Sequence, residues 1–192
     1  MSDSIEPQTA RIDRNASQYA RSLIEASLDP LVTISPEGKI TDVNEGSIKV
    51  TGVRREALIG TDFSNYFTEP EQARAGYQQV FAKGFVTDYP LTIRHSDGGL
   101  TDVLYNASVY KDAAGNVLGV FAAARDVTAQ RQASQYARSL IEAVAAQARL
   151  QGAARYYWLT QEHNAVARVL YDKVAKHAGF IRYDFPLRGP GA

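Results

Sequence analysis

The chain has 192 residues, 21 Lys and Arg balancing 21 Asp and Glu, and no cysteine, which suits one domain with an appendage or two small domains and removes disulfides, thiolate nucleophiles and cysteine metal ligands. The basic residues are scattered rather than gathered in a patch, so the charge gives no footprint for nucleic acid. No apolar run approaches the roughly 20 residues of a membrane span, and the polar opening MSDSIEPQTARIDRN lacks the apolar core of a secretory signal, so a cytoplasmic protein with no membrane contact is expected.

Residues 1–15 are expected to be a flexible tail. ASQYARSLIEA follows at 16–26 and recurs, letter for letter, at 133–143. Its first copy predicts a short amphipathic helix with Tyr19, Leu23 and Ile24 on one side. Two strands, Leu31 to Ser35 and Lys39 to Val43, then flank the turn Pro36-Glu37-Gly38. Between Asn44 and Phe67 short helical stretches are punctuated by Gly52 and Gly60. Thr68-Glu-Pro-Glu71 has the form of a capping box with proline in the first turn, and predicts a helix that ends at Gly84. Ala73, Tyr77, Val80 and Phe81 share one face of it by their spacing. Three strands joined by tight turns follow: Tyr89 to His95, Leu100 to Lys111, and Val117 to Val127. Period-two alternation puts Val103, Tyr105, Ala107 and Val109 on one face, and Val120, Ala122 and Ala124 on the corresponding face of the next strand.

This order, with Asp29-Pro30, Gly38-Lys39-Ile40, Asp42-Val43-Asn44, Thr51-Gly52, Leu58-Ile59-Gly60, His95-Ser96-Asp97-Gly98 and the closing Arg125-Asp126-Val127-Thr128, resembles a PAS sensor domain over residues 16–130. The resemblance implies an α+β fold, a five-stranded antiparallel sheet with helices on one face. It implies sensing of a small molecule or dimerisation, with signal leaving through a helix after the last strand, in bacterial two-component systems toward an effector such as a histidine kinase. Family members that form a flavin photoadduct use a cysteine, which this chain lacks. Those that hold haem commonly do so through a histidine on the long helix, and residues 70–83 carry none; His95 beside a turn reads as a solvated turn residue. A small apolar ligand is compatible with Ala107, Ala122 and Ala124, which trim the inward face, as is a close helix–sheet contact without a cavity. The candidate ligand-binding residues are Tyr77, Val80, Phe81, Val103, Tyr105, Ala107, Val120, Ala122 and Ala124; no metal site is expected.

The second copy opens a linker helix at 131–152, in which Ala137, Ile141, Val144 and Ala148 follow a 4-3-4 spacing compatible with a homodimer or with simple packing. No second sensor domain follows it, so the repeat is one of linker, not of domain. Instead Ala154 to Thr160 reads as a strand, Glu162 to Lys176 as a helix with Val166, Leu170 and Val174 on one face, and Phe180 to Phe185 as a closing strand. With the linker helix these make a helix-strand-helix-strand appendage, whose last three elements occupy 153–187, before a flexible end at 188–192.

Leu140-Ile-Glu-Ala-Val, Tyr157-Trp-Leu-Thr, Asn164-Ala-Val-Ala-Arg, Leu170-Tyr171 and Gly179-Phe180 resemble the C-terminal half of a GNAT acetyltransferase over 138–187. That resemblance implies Asn164 and Tyr171 near the sulfur of acetyl-CoA, Tyr171 as general acid. The family's pyrophosphate turn aligns with Gln132 to Ala137, where Gln135 stands in place of the central glycine, and the acceptor-side strands belong to the other domain. The expectation is therefore a sensory and interaction module with no catalysis of its own. The alternatives are a PAS-regulated N-acetyltransferase, and a fusion, accidental or engineered, without coordinated function. The last sensor strand should be central in its sheet, so the strand at 154–160 is expected to pair with a second chain, cover another sheet edge, or stay loosely ordered.

Overall fold

The computed structural model describes residues 8–178 and 182–185. The chain divides into two compact units, residues 1–128 and 129–192.

The first unit is a five-stranded antiparallel sheet in the order β2-β1-β5-β4-β3. Its strands are β1 (Leu31–Ile34), β2 (Ile40–Val43), β3 (Phe85–Arg94), β4 (Leu100–Lys111) and β5 (Val117–Asp126). The expected alternation holds. Val103, Tyr105 and Ala107 of β4 and Val120, Ala122 and Ala124 of β5 are buried, and Tyr105 pairs with Ala124, Ala107 with Ala122 and Val109 with Val120. These residues form the sheet's contribution to a core completed by Ile34, Leu58, Phe63, Phe67, Ala73 and Val80. β1 lies close against β5 at Gly119, where an added Cβ would stand 2.3 Å from the Ile34 carbonyl oxygen. That position has room only for glycine.

The helices between β2 and β3 are α2 (Glu45–Thr51), α3 (Arg55–Leu58), a 3-10 turn at Phe63–Tyr66 and α4 (Pro70–Lys83). Gly52 ends α2 in the left-handed region at φ 67°, with its amide on the Ile48 carbonyl, as a helix-ending glycine should. The capping box expected at Thr68–Glu71 does not form. The N-cap of α4 is Glu69, without a side-chain cap, while the Thr68 amide and hydroxyl both donate to the Thr92 carbonyl of β3. The sheet edge has taken the group that would have capped the helix. On α4, Ala73, Tyr77 and Val80 face inward as expected, but Phe81 is 39% exposed.

Helix α1 (Gln8–Ala26) begins inside the segment expected to be a tail. Its orientation also differs from the amphipathic reading. Tyr19 and Leu23 are exposed and Ile24 is half-buried, because polar groups set how the helix docks. Arg21 pairs with Glu25 at 2.6 Å and with Asp42 of β2, and Arg55 pairs with Glu25 at 2.6 Å and Asp42 at 3.0 Å. Two guanidiniums and two carboxylates thus alternate around one ring. Burial pushes the Glu25 carboxyl up, but the Glu45 amide and the Arg55 and Arg21 guanidiniums outweigh it and hold it below its ordinary range. The Asp42 carboxylate, accepting from Arg21, raises the Arg21 guanidinium in turn, against partial desolvation.

Buried Asn44 locks the same corner. Its Nδ2 donates to the carbonyls of Ile24, Ser27 and Asp29 at 3.0–3.3 Å, and its Oδ1 accepts from the Leu31 and Ser47 amides and the Ser47 hydroxyl. One side chain therefore ties the end of α1, the start of β1 and the N-terminus of α2. At the exit of the sheet, the Val127 amide donates to the Asp102 carbonyl and the Thr128 hydroxyl accepts from the Asp102 amide, fixing where the chain leaves β5.

The second unit holds α5 (Thr128–Leu150), β6 (Tyr156–Leu159), α6 (Ala165–Val174), β7 (Lys176–His177) and β8 (Arg182–Phe185). β5 is central and paired on both sides, as expected, but β6 finds its partner within its own unit, in an antiparallel sheet of order β6-β8-β7. None of the three expected arrangements of that strand is therefore needed. The expected strand residues Phe180 and Ile181, the motif residue Gly179, residues 1–7 of the expected N-terminal tail and the end at 188–192 lie outside the described residues. Along α5, Ala145 is buried and Ala137, Ile141 and Ala148 are half-buried, whereas Val144, placed on the same stripe by spacing, is exposed together with Tyr136 and Leu140. Among the described residues no helix is long and apolar enough to cross a membrane.

Candidate ligand site

Small side chains on the sheet face meet short helices that cannot close over them completely. Ala122 and Ala124 of β5 leave space above the sheet, and α2, α3 and the 3-10 turn bring Ser47, Thr51, Leu58, Phe63 and Tyr66 across it. The result is a cavity of about 60 Å³, walled also by Val32, Ile40, Val43, Phe67, Ile93 and Tyr105. Its polar neighbours are mostly occupied elsewhere. The Ser47 hydroxyl donates to the Leu31 carbonyl and the Thr51 hydroxyl to the Ser47 carbonyl, both at 2.7 Å, and the Tyr66 hydroxyl lies 2.9 Å from that of Thr61.

Tyr105 is the exception. It is 2% exposed, and its hydroxyl has no hydrogen-bond partner among the described residues. A buried hydroxyl without a partner costs about 1–3 kcal/mol, so in folded proteins such a group usually meets water or a ligand. Burial pushes the Tyr105 phenol far above its ordinary range, with the nearby Tyr77 adding to the shift, so the group stays protonated near neutral pH. It therefore offers both an O–H donor and acceptor lone pairs to a guest.

The sequence-derived candidates divide three ways. Tyr105, Ala122 and Ala124 line the cavity together. Val80, Val103, Ala107 and Val120 are buried in the surrounding core without lining it. Tyr77 and Phe81 line a different space, a surface groove of about 370 Å³ between the Pro36–Gly38 turn and α4, shared with Asp62, Phe63 and Arg74. There the Tyr77 hydroxyl donates to the Ser35 carbonyl, so its polar tip is already used. Sequence reasoning missed the cavity roof, Ser47, Leu58 and Phe63, which sits on helices too short to show a period.

His95 lies at the β3–β4 turn, its Nδ1 2.6 Å from Asp97 Oδ1, and it is not part of the cavity wall. The Gly99 amide and His95 hold the Asp97 carboxyl below its ordinary range. No group of three or more His, Cys, Asp or Glu residues able to hold a metal occurs among the described residues.

The residues aligned with an acetyl-CoA site do not fit that cofactor. Gln132 to Ala137 lie inside α5, where backbone amides are consumed by the helix's own i to i−4 ladder and cannot cradle a pyrophosphate. Asn164 caps α6, accepting from the Ala167 amide, and its Nδ2 lies 3.1 Å from the Thr160 hydroxyl. Tyr171 packs edge-on against Trp158 at 5.3 Å and Tyr183 at 5.1 Å, inside an aromatic cluster in which Trp158 stacks on Tyr183. Both residues have structural work in the second unit.

No curated protein matches the chain. Among solved structures, a PAS domain from Colwellia psychrerythraea is 20% identical with a TM-score of 0.53, over 59% of this chain and 98% of its own. A PAS domain from a two-component sensor histidine kinase is 15% identical with a TM-score of 0.52, again over 59% and 98%. An RNA-binding Light-Oxygen-Voltage receptor is 16% identical with a TM-score of 0.56, over 74% of this chain and 40% of that one. A family profile described as PAS domain matches residues 28–129, more than half of the chain and the whole of the sheet with its covering helices. The fold, its cavity and that match agree: the chain belongs to the PAS domain family.

Proposed function

We propose that the first unit is a sensory module whose input is a small apolar molecule carrying one hydrogen-bonding atom, held in the cavity beside Tyr105. The observation that carries this reading is the Tyr105 hydroxyl, buried and without a partner among the described residues, at the wall of an otherwise apolar space. Size narrows the class. A cavity of about 60 Å³ exceeds the roughly 10–15 Å³ that one water needs, but falls short of the roughly 150 Å³ known to admit benzene. A guest of a few heavy atoms, such as a short ketone or alcohol, fits the closed domain; a larger one requires α2 and α3 to move outward. Haem and a cysteinyl-flavin adduct have no place in this reading.

The output is a change in the helices flanking the sheet, passed to a second copy of the chain and to an effector such as a histidine kinase, the kind of protein from which one structural relative comes. The chain performs no reaction of its own in this account. The test is an alanine-methyl NMR titration with acetone. Saturable shifts of the Ala122 and Ala124 methyls, without shifts of Ala137 and Ala148, support the site. Absence of those shifts, or persistence of the Ala122 shift in an Ala124→Leu variant that fills the cavity, overturns it.

A further inference from the structure

The repeated sequence makes a second, independent point. In the first copy, Arg21 and Glu25 close a ring of charge with Asp42 and Arg55. In the second copy the same letters are Arg138 and Glu142, which pair only with each other among the described residues, at 2.8 Å and with both side chains at least half exposed. α5 therefore presents the charges that hold α1, in the same helical spacing, with nothing yet engaged beyond the helix itself. Ile141, half-buried, repeats Ile24, which sits beside the hollow between α1 and β1.

We propose that α5 of one chain docks at the Asp42–Arg55 site of a second copy, taking the place of that copy's α1. Charge complementarity argues for this occupant: the site holds one carboxylate and one guanidinium, and α5 offers the opposite partner for each at the spacing the site already accepts. The exchange also leaves most of the Asn44 hub intact. Only the Ile24 carbonyl belongs to α1, whereas the Ser27 and Asp29 carbonyls lie beyond its end and stay behind when the helix leaves. One contact is not copied. α5 runs on past the repeat, so the Ile141 carbonyl is spent in its own ladder and is a poorer acceptor for Asn44. α1 is thus the stronger occupant of the resting site, and α5 enters when α1 is released.

Two full-length variants share a reversed site, Asp42→Arg with Arg55→Glu. One adds Arg138→Glu and Glu142→Arg, matching α5 to the site; the other adds Arg21→Glu and Glu25→Arg, matching α1. Sedimentation equilibrium is expected to show dimerisation at least tenfold tighter in the α5-matched chain. Equal affinities overturn the proposal, as does an α5-matched chain that stays monomeric, including one whose helix folds back on its own body. Should the reversed site fail to fold, Arg21→Glu alone keeps the site and α5 native while weakening the hold of α1. It is expected to raise association over the wild-type chain, and unchanged or weaker association overturns the proposal.

Discussion

Replacing Tyr105 by Phe removes one oxygen and leaves the ring in place. Tyr105 is 2% exposed and its hydroxyl has no partner among the described residues, so the wild-type domain without guest carries the cost of a buried, unsatisfied group, about 1–3 kcal/mol. The variant is expected to gain about 1 kcal/mol, the low end of that range, because cavity water can satisfy part of the hydroxyl. For a unit spanning residues 1–128 that is a rise in Tm of roughly 3–5 °C. Binding of acetone should move the other way. Loss of one hydrogen bond worth about 0.5–1.5 kcal/mol weakens affinity by roughly 2- to 10-fold. Urea or thermal unfolding of both proteins, with and without ketone, reads both effects. A variant less stable than wild type by more than about 1 kcal/mol without guest would refute the reasoning, since the hydroxyl would then have a partner in the protein.

Asn44→Ala leaves the Leu31 and Ser47 amides and the carbonyls of Ile24, Ser27 and Asp29 without their shared partner, and is expected to cost about 2–4 kcal/mol in urea unfolding; a loss under 1 kcal/mol would contradict the hub. Gly119→Ala places a methyl 2.3 Å from the Ile34 carbonyl oxygen and must spread β1 from β5, so a loss of at least about 2 kcal/mol is expected from the same measurement. The Glu25 carboxyl is held below its ordinary 4.5, so its contribution to α1 docking is complete above that value and disappears as pH falls through the lower folded-state value. The Ile24 methyl resonance should report this acid transition in wild type and lose it in Glu25→Gln; an unchanged transition in the variant would assign it to another group.

The parts of the fold that were legible in the sequence are those with a strict period. Alternation in β4 and β5 gave the inward residues, because each strand has one buried face and a one-residue slip would expose all of them. The spacing of Ala73, Tyr77 and Val80 gave the face of α4, but not its cap, since Thr68 had a competing acceptor in Thr92, distant in sequence. Of the cavity, Ala122, Ala124 and Tyr105 could be read from alternation, whereas the roof rests on helices of four to seven residues that show no face. The docking of α1 was misread because apolar spacing put Tyr19 and Leu23 inward, while the Arg21–Glu25–Asp42–Arg55 ring and Asn44 turn the helix by polar contacts that spacing does not reveal. The second sheet escaped notice because β7 is two residues long and β6 pairs with a strand more than twenty residues later.

The most direct measurement of the central claim is a crystal structure of the chain soaked with acetone. The account predicts density for the ketone between β5 and the short helices, its oxygen about 2.7–2.8 Å from the Tyr105 hydroxyl and its carbons against Ala122 and Ala124. An empty cavity with a ketone bound in the Tyr77–Phe81 groove, or nowhere, would contradict it.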